Sequence, residues 1–220
     1  MTESSSDNKI FVTERNLEDA RRQKSLDRLI GISDDIFAFA MTLLALDLVT
    51  PVILGQANDA SLAAALVNEF HSFVGFFVSF WVISMLWLSH HRIFRYVKSS
   101  DSGLLPLNLV LLFFIVLIPF ATRVLNYGFL PLALDVFSSI LIGASLMSSI
   151  IWAHASSPER HLLDEQVSKE TIKWLTNRGF LSAAIYSLSL FLAFVDPYLT
   201  LASWLSVFPV VVLLDRRYIK

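Results

Sequence analysis

The stretch RLIGISDDIFAFAMTLLALD, residues 28–47, sets the reading of the whole chain. Between its charged ends, Arg28 and Asp47, it is an apolar run whose polar residues are few: Ser33, Asp34 and Asp35 near its start, and Thr42 further along. A helix rising ~1.5 Å per residue needs roughly 20 apolar residues to cross ~30 Å of hydrocarbon, and a polar group at that depth is expensive. The polar residues that remain are therefore the informative ones. At ~100° per residue, Asp35, Thr42 and Leu46 fall within about 60° of Phe39, whereas Asp34 lies about 140° away. The two adjacent carboxylates point to different surroundings.

Outward from this segment, six stretches reach or approach spanning length: 31–54, 70–95, 104–126, 131–153, 176–195 and 198–214. Composition agrees, with 55% of 220 residues apolar and only 16% charged, where soluble domains hold about one charged residue in four. The expected fold is an all-α integral membrane protein with six transmembrane helices. Asp196-Pro197 alone separates the last two spans, which leaves room only for a tight turn.

Charge is concentrated at the ends of these segments: twelve charged residues lie in 1–30 and eight in 158–178. Residues 1–27 lack the apolar core of a signal peptide and read as a cytoplasmic tail, 28–214 as the six-span domain, and 215–220 as a second cytoplasmic tail. The segment 161–173, with Leu162, Leu163 and Val167 among charges, is compatible with a short surface helix. Cytoplasmic loops retain Lys and Arg. With the N-terminus inside, sixteen of the seventeen basic residues fall on the cytoplasmic side and only Arg123 on the outer side. Both termini are therefore expected inside.

Several classes of function are excluded or disfavoured. A net charge of −2 offers no basic face for nucleic acid. The chain has no cysteine, which excludes thiolate metal sites and Cys nucleophiles. His90 and His91 are adjacent, diverge by ~100° on a helix and belong to no His-x-x-x-His or Glu-x-x-His pairing, so hydrogen bonding is expected of them rather than metal ligation. No enzyme nucleophile motif is present. Ser138, Ser139, Ser145, Ser148 and Ser149, with Gly143 and Ala144, give the fourth span a small-residue face suited to close packing within the subunit. Pro119 is expected to bend the third span.

The remaining motifs carry a family resemblance. Arg28-x-x-x-Ile32-Ser33-Asp34, Phe37-Ala38, Thr42-Leu43-Leu44-x-Leu46-Asp47, Trp87-x-x-His90-His91-Arg92, Leu107-Asn108-Leu109 and Leu117-x-Pro119-Phe120 occur in this order. Together they resemble the first three spans of the transmembrane protein 175 family of potassium channels. The resemblance implies a homotetramer around a central pore lined by the first span, with Phe39, Thr42 and Leu46 facing the axis. It also implies an interhelical polar network of Arg28, Ser33, Asp34, Trp87, His90, His91 and Asn108. Phe39 stands where the family usually has Ile or Leu, and Asp35, at the pore mouth, where it commonly has Gly. The expected function is thus a potassium-permeable cation channel in a prokaryotic plasma membrane. It would have no cofactor, no metal beyond permeating cations, and its own copies and the lipid bilayer as partners. The competing expectation is a proton-coupled transporter using the His/Asp cluster.

Overall fold

The computed structural model describes the backbone of residues 3–48, 50–53 and 55–218, and side chains over 17–18, 20–48, 50–53 and 55–213. Seven α-helices form this part of the chain. They are α1 (Glu3–Leu46), α2 (Asp59–Asn68), α3 (Phe70–Phe94), α4 (Leu104–Leu125), α5 (Pro131–Ala155), α6 (Lys169–Leu192) and α7 (Pro197–Tyr218), with a 3-10 turn at Pro158–Arg160. The C-terminal segment 215–220 lies outside the described side chains.

Helix α1 has 44 residues, a rod of ~66 Å at 1.5 Å per residue. The polar segment and the first apolar span are one element, with no break at residue 27 or 28. The rod ends at Leu46 rather than at the expected 54. The amides of Asp47 and Leu48 turn back onto the carbonyls of Leu44 and Ala45, and Pro51 follows, which disfavours helix at Thr50 and supplies no N–H of its own. The short α2 was not anticipated. It starts in a reciprocal cap, in which Ser61 N–H donates to Asn58 Oδ1 (2.9 Å) and Asn58 N–H to Ser61 Oγ (3.0 Å).

Helices α3 to α7 pack in a ring: α3 on α4, α4 on α5, α5 on α6, α6 on α7, and α7 back on α3. Helix α1 lies outside this ring and packs on α3 and α4. Among the described residues four helical segments are long and apolar enough to cross a bilayer: Ala20–Leu46, Phe70–Phe94, Leu104–Leu125 and Pro131–Ala155. The 24-residue α6 has the length, but Asn177, Arg178 and its serines lower its apolarity. Pro197–Leu213 is a shorter apolar helix. The connection between α6 and α7 is the four residues 193–196, and the turn is tight. Asp196 Oδ1 accepts from the amides of Tyr198 (2.7 Å) and Leu199 (3.0 Å), and Pro197 opens the new helix.

The segment 161–168 is not a helix. Leu162 is buried, Leu163 forms an antiparallel bridge with Val97, and Lys98 N–H donates to the Leu162 carbonyl at 2.8 Å. Asp164 N–H also donates to the Tyr96 carbonyl at 3.0 Å, so the backbone groups of this segment pair with the α3–α4 connection instead of within a helical turn. Pro119 is buried in α4, which continues to Leu125.

The small-residue face of α5 packs within the chain. Gly143 leaves no room for a Cβ beside the Phe114 ring, and Gly179 of α6 leaves none beside Ser149. The Trp204 indole N–H of α7 donates to Ser189 Oγ of α6 at 3.0 Å, and that hydroxyl lies 2.7 Å from Ser138 Oγ of α5. All three residues are buried. Ser189→Ala leaves the indole donor unpaired and is expected to cost about 1–3 kcal/mol, read as a lowered Tm in detergent. Ser189→Ala combined with Trp204→Phe removes both partners and should recover most of that loss.

Candidate functional site

The face of α1 turned to the ring carries Leu26, Leu29, Ser33, Phe37, Ala40 and Leu44, all buried. Its polar member, Ser33, anchors a hydrogen-bonded chain across three helices. Ser33 Oγ–H donates to the Leu29 carbonyl (2.7 Å), Asn108 Nδ2 of α4 donates to Ser33 Oγ (2.9 Å), and His90 Nε2 of α3 lies 2.9 Å from Asn108 Oδ1. With the Asn108 amide N–H committed to Ser33, its Oδ1 is the acceptor. The proton between Asn108 and His90 therefore sits on His90 Nε2. Phe37 and Phe94 flank the imidazole, with ring centroids 5.6 and 4.4 Å away.

A second tie runs alongside the first. The Trp87 indole N–H donates to Asp34 Oδ1 at 2.8 Å, and His91 stacks on Trp87 at 5.7 Å. Asp34 thus takes its partner from Trp87 rather than from Arg28 or a histidine. Of the seven residues expected in the network, the structure joins Ser33, Asp34, Trp87, His90 and Asn108 through these two ties. His91 is exposed and contributes by stacking. Arg28 is exposed, and among the described residues it makes no hydrogen bond or ion pair with the cluster.

The opposite face of α1 is bare within the chain. Asp35, Phe39, Thr42 and Leu46 are all exposed, Phe39 by 63% and Leu46 by 74%. Thr42 Oγ1–H donates to the Phe39 carbonyl at 2.8 Å. Its single proton is thereby used within the helix, and the oxygen lone pairs are left for whatever the face meets. Among the described residues no group of three or more His, Asp or Glu side chains is arranged to hold a metal ion.

Two ionic contacts at the helix ends were not read from the sequence. At one end, Arg123 Nε of α4 donates to Asp47 Oδ1 at 2.7 Å, with a guanidinium NH2 at 2.6 Å, so the terminus of α1 is held on α4. The available signal was that Arg123 is the one basic residue assigned to the outer side. At the other end, Asp101 in the α3–α4 loop accepts from His154 Nε2 (2.9 Å to each oxygen), from Arg160 NH1 (2.8 Å), and from the amides of Gly103 (3.1 Å) and Leu104 (2.9 Å). His154 thus joins the end of α5 to the α3–α4 loop.

Two predictions arise from these contacts. Asn108→Leu leaves the His90 N–H without an acceptor in a dry interior, while the Ser33 hydroxyl keeps its bond to the Leu29 carbonyl, and is expected to destabilise the protein by about 1–3 kcal/mol, measured by thermal unfolding in detergent. Partial burial alone would raise the Asp101 pKa, but the bonds from His154, Arg160 and Leu104 outweigh it and bring the value below the ordinary 3.8. A depressed folded pKa means that Asp101 contributes stability above about pH 3.8 and loses it as pH falls through the folded value. Asp101→Asn should therefore lower Tm at neutral pH, with the gap to the native chain closing only below that range.

A family described as the endosomal/lysosomal potassium channel TMEM175 matches residues 28–119, the segment that holds the apolar part of α1, the two polar ties and the bare face. A potassium channel of Streptomyces collinus is 33% identical over 181 residues, covering 80% of this chain and 86% of that one. The endosomal/lysosomal proton channel TMEM175 of Gallus gallus is 31% identical over 150 residues, covering 63% of this chain and 30% of that one. The crystal structure of a TMEM175 homologue from Chamaesiphon minutus superposes with a TM-score of 0.71 at 24% identity, over 90% of this chain and 100% of that one, and is alike in fold. The chain belongs to the TMEM175 family of potassium channels.

Proposed function

We propose that copies of this chain assemble as a homotetramer in a prokaryotic plasma membrane, with α1 of each lining a central potassium-permeable pore. In this reading α6 and α7 also cross the bilayer, giving six spans with both termini in the cytoplasm. Sixteen of seventeen basic residues then lie inside, as the positive-inside rule requires. The number four is what the family resemblance implies.

One observation carries the proposal: α1 buries one face on α3 and α4 and leaves bare the other, on which Asp35 and Thr42 lie in line with Phe39 and Leu46. A carboxylate on a lipid-facing stripe is costly, whereas on a water-filled axis it is not. Four Asp35 carboxylates at the inner mouth would raise the local cation concentration through a potential of several kT. Four Phe39 rings then form an apolar constriction, which passes an ion only if it sheds part of its hydration shell. Potassium does so at lower cost than sodium. Four Thr42 oxygens, each with its proton directed to the Phe39 carbonyl, offer lone pairs to the partly dehydrated ion. No cofactor enters this mechanism.

The competing reading is proton-coupled transport through Asp34 and His90. It gains interest from the name of the Gallus gallus relative, and His91 could replace His90 in it, but Asp34 is tied to Trp87, His90 to Asn108, and His91 stacks on Trp87, so among the described residues no direct hydrogen bond links Asp34 to either histidine as a relay would need. Planar-bilayer recording of the purified protein separates the two, since a channel gives unitary currents that reverse near the potassium equilibrium potential. Phe39→Ala is expected to widen the constriction and raise unitary conductance. Thr42→Ala is expected to change the potassium-to-sodium permeability ratio by roughly two- to tenfold, the range for loss of a polar contact of ~0.5–1.5 kcal/mol. Unchanged permeation in both variants removes α1 from the pore.

A further inference from the structure

Helix α1 continues without a break from its apolar span into the polar segment before residue 28, and the α3–α4 loop, residues 95–103, reaches it there. Ser100 Oγ–H donates to the Arg22 carbonyl at 3.0 Å. Ser100 is buried, which is unusual for a hydroxyl on a connecting loop. A carbonyl oxygen has two lone pairs, so that of Arg22 takes the serine proton in addition to the helical amide of Leu26. The bond therefore grips the backbone of α1 and not a movable side chain.

The loop that carries Ser100 has little freedom of its own. Its next residue, Asp101, accepts from His154 of α5, from Arg160 and from the amides of Gly103 and Leu104. Gly103 leaves no room for a Cβ beside the His154 ring. Lys98 N–H donates to the Leu162 carbonyl at 2.8 Å, and Asp164 N–H to the Tyr96 carbonyl at 3.0 Å. Ser100 is thus mounted on the ring of α3 to α7. At 100° per residue Arg22 lies about 100° from Phe39, in line with Leu26, Leu29, Ser33, Ala40 and Leu44, all of which are buried on that ring. The serine holds α1 by the side turned away from Asp35, Thr42 and Leu46.

Polar attachments now follow one another along the rod: Arg22 to Ser100, Ser33 and Asp34 to Asn108 and Trp87, and Asp47 to Arg123. At ~1.5 Å per residue the steps between them are roughly 17 and 20 Å. We propose that Ser100 is a positioning residue for conduction, which through the Arg22 carbonyl keeps the inner end of α1 on the ring and away from the pore axis. The proposal rests on α1 lining the pore. Without the hydroxyl, the inner end is free to tilt about the Ser33 and Asp34 ties. Arg21 and Arg28, exposed and within about 20° of the Phe39 line, then approach the axis, and a more cationic mouth opposes potassium entry. Phe39 and Thr42 lie beyond the pivot and keep their places.

Ser100→Ala tests this. The Arg22 carbonyl retains its helical bond, so no group is stranded. Spin labels on Arg21→Cys and Glu159→Cys, both exposed positions, report the distance from the inner end of α1 to the platform, with labelled chains diluted in unlabelled ones. The population at longer distance is expected to rise about two- to tenfold in Ser100→Ala, the shift for loss of one hydrogen bond. Potassium current should fall in proportion to the displaced population, with the reversal potential unchanged. Ser189→Ala, which loosens the bundle far from α1, should leave both distance and current as they were. An unchanged distance in Ser100→Ala, an equal displacement in Ser189→Ala, or a displaced helix that conducts as before would overturn the assignment. The label distance is read whether or not α1 lines the pore, whereas failure of that reading shows separately, as Phe39→Ala and Thr42→Ala without effect on permeation.

Discussion

Inside hydrocarbon no water is at hand to satisfy a polar group, so each one must find a partner in the protein or face an aqueous cavity. Helix α1 meets this constraint by dividing its polar residues between two faces. Ser33 and Asp34 are satisfied within the chain, through Asn108 with His90 and through Trp87 respectively. Asp35 and Thr42 lie on the face that nothing in the chain covers. The same helix is therefore fastened on one side and available on the other, and every other element serves that division. The ring of α3 to α7 provides the platform, and the Asp47–Arg123 pair holds one end of the apolar rod on α4.

This arrangement also accounts for the small residues. Apolar side chains gain little by leaving lipid for protein, so helix association in a membrane relies on close packing and interhelical hydrogen bonds. Gly143 against Phe114, Gly179 against Ser149, and the node formed by Ser138, Ser189 and Trp204 are of this kind. They lie between α5 and its neighbours, away from α1, so the platform keeps its shape independently of what meets the bare face. The Asp101 knot adds a tie between the α3–α4 loop and the end of α5.

Much of this was legible in the sequence because apolar length and helical phase are local properties. Helices α3, α4 and α5 begin and end within about two residues of the expected limits. The wheel separated Asp34 from Asp35 correctly, since 100° per residue follows from the backbone alone. What escaped was of two sorts. One depends on local backbone chemistry: the end of α1 at Leu46 ahead of Pro51, the cap that starts α2, and the bridge between Val97 and Leu163 in a segment whose composition suggested a helix. The other depends on distant partners. That Asp34 binds Trp87, that Arg28 stands apart, and that His154 joins Asp101 and Arg160 are consequences of helix packing, which no single-chain pattern encodes.

Because the chain contains no native cysteine, the central claim can be tested one position at a time. The measurement is macroscopic potassium current through single-cysteine variants during exposure to a permeant-sized, positively charged thiol reagent. Thr42→Cys, on the bare face, should be blocked by the reagent, and potassium should slow the block by competing for the site. Ala40→Cys, on the face buried against the ring, should be unaffected. Block at Ala40→Cys with none at Thr42→Cys, or no block at either in a conducting protein, would contradict the assignment of the two faces of α1.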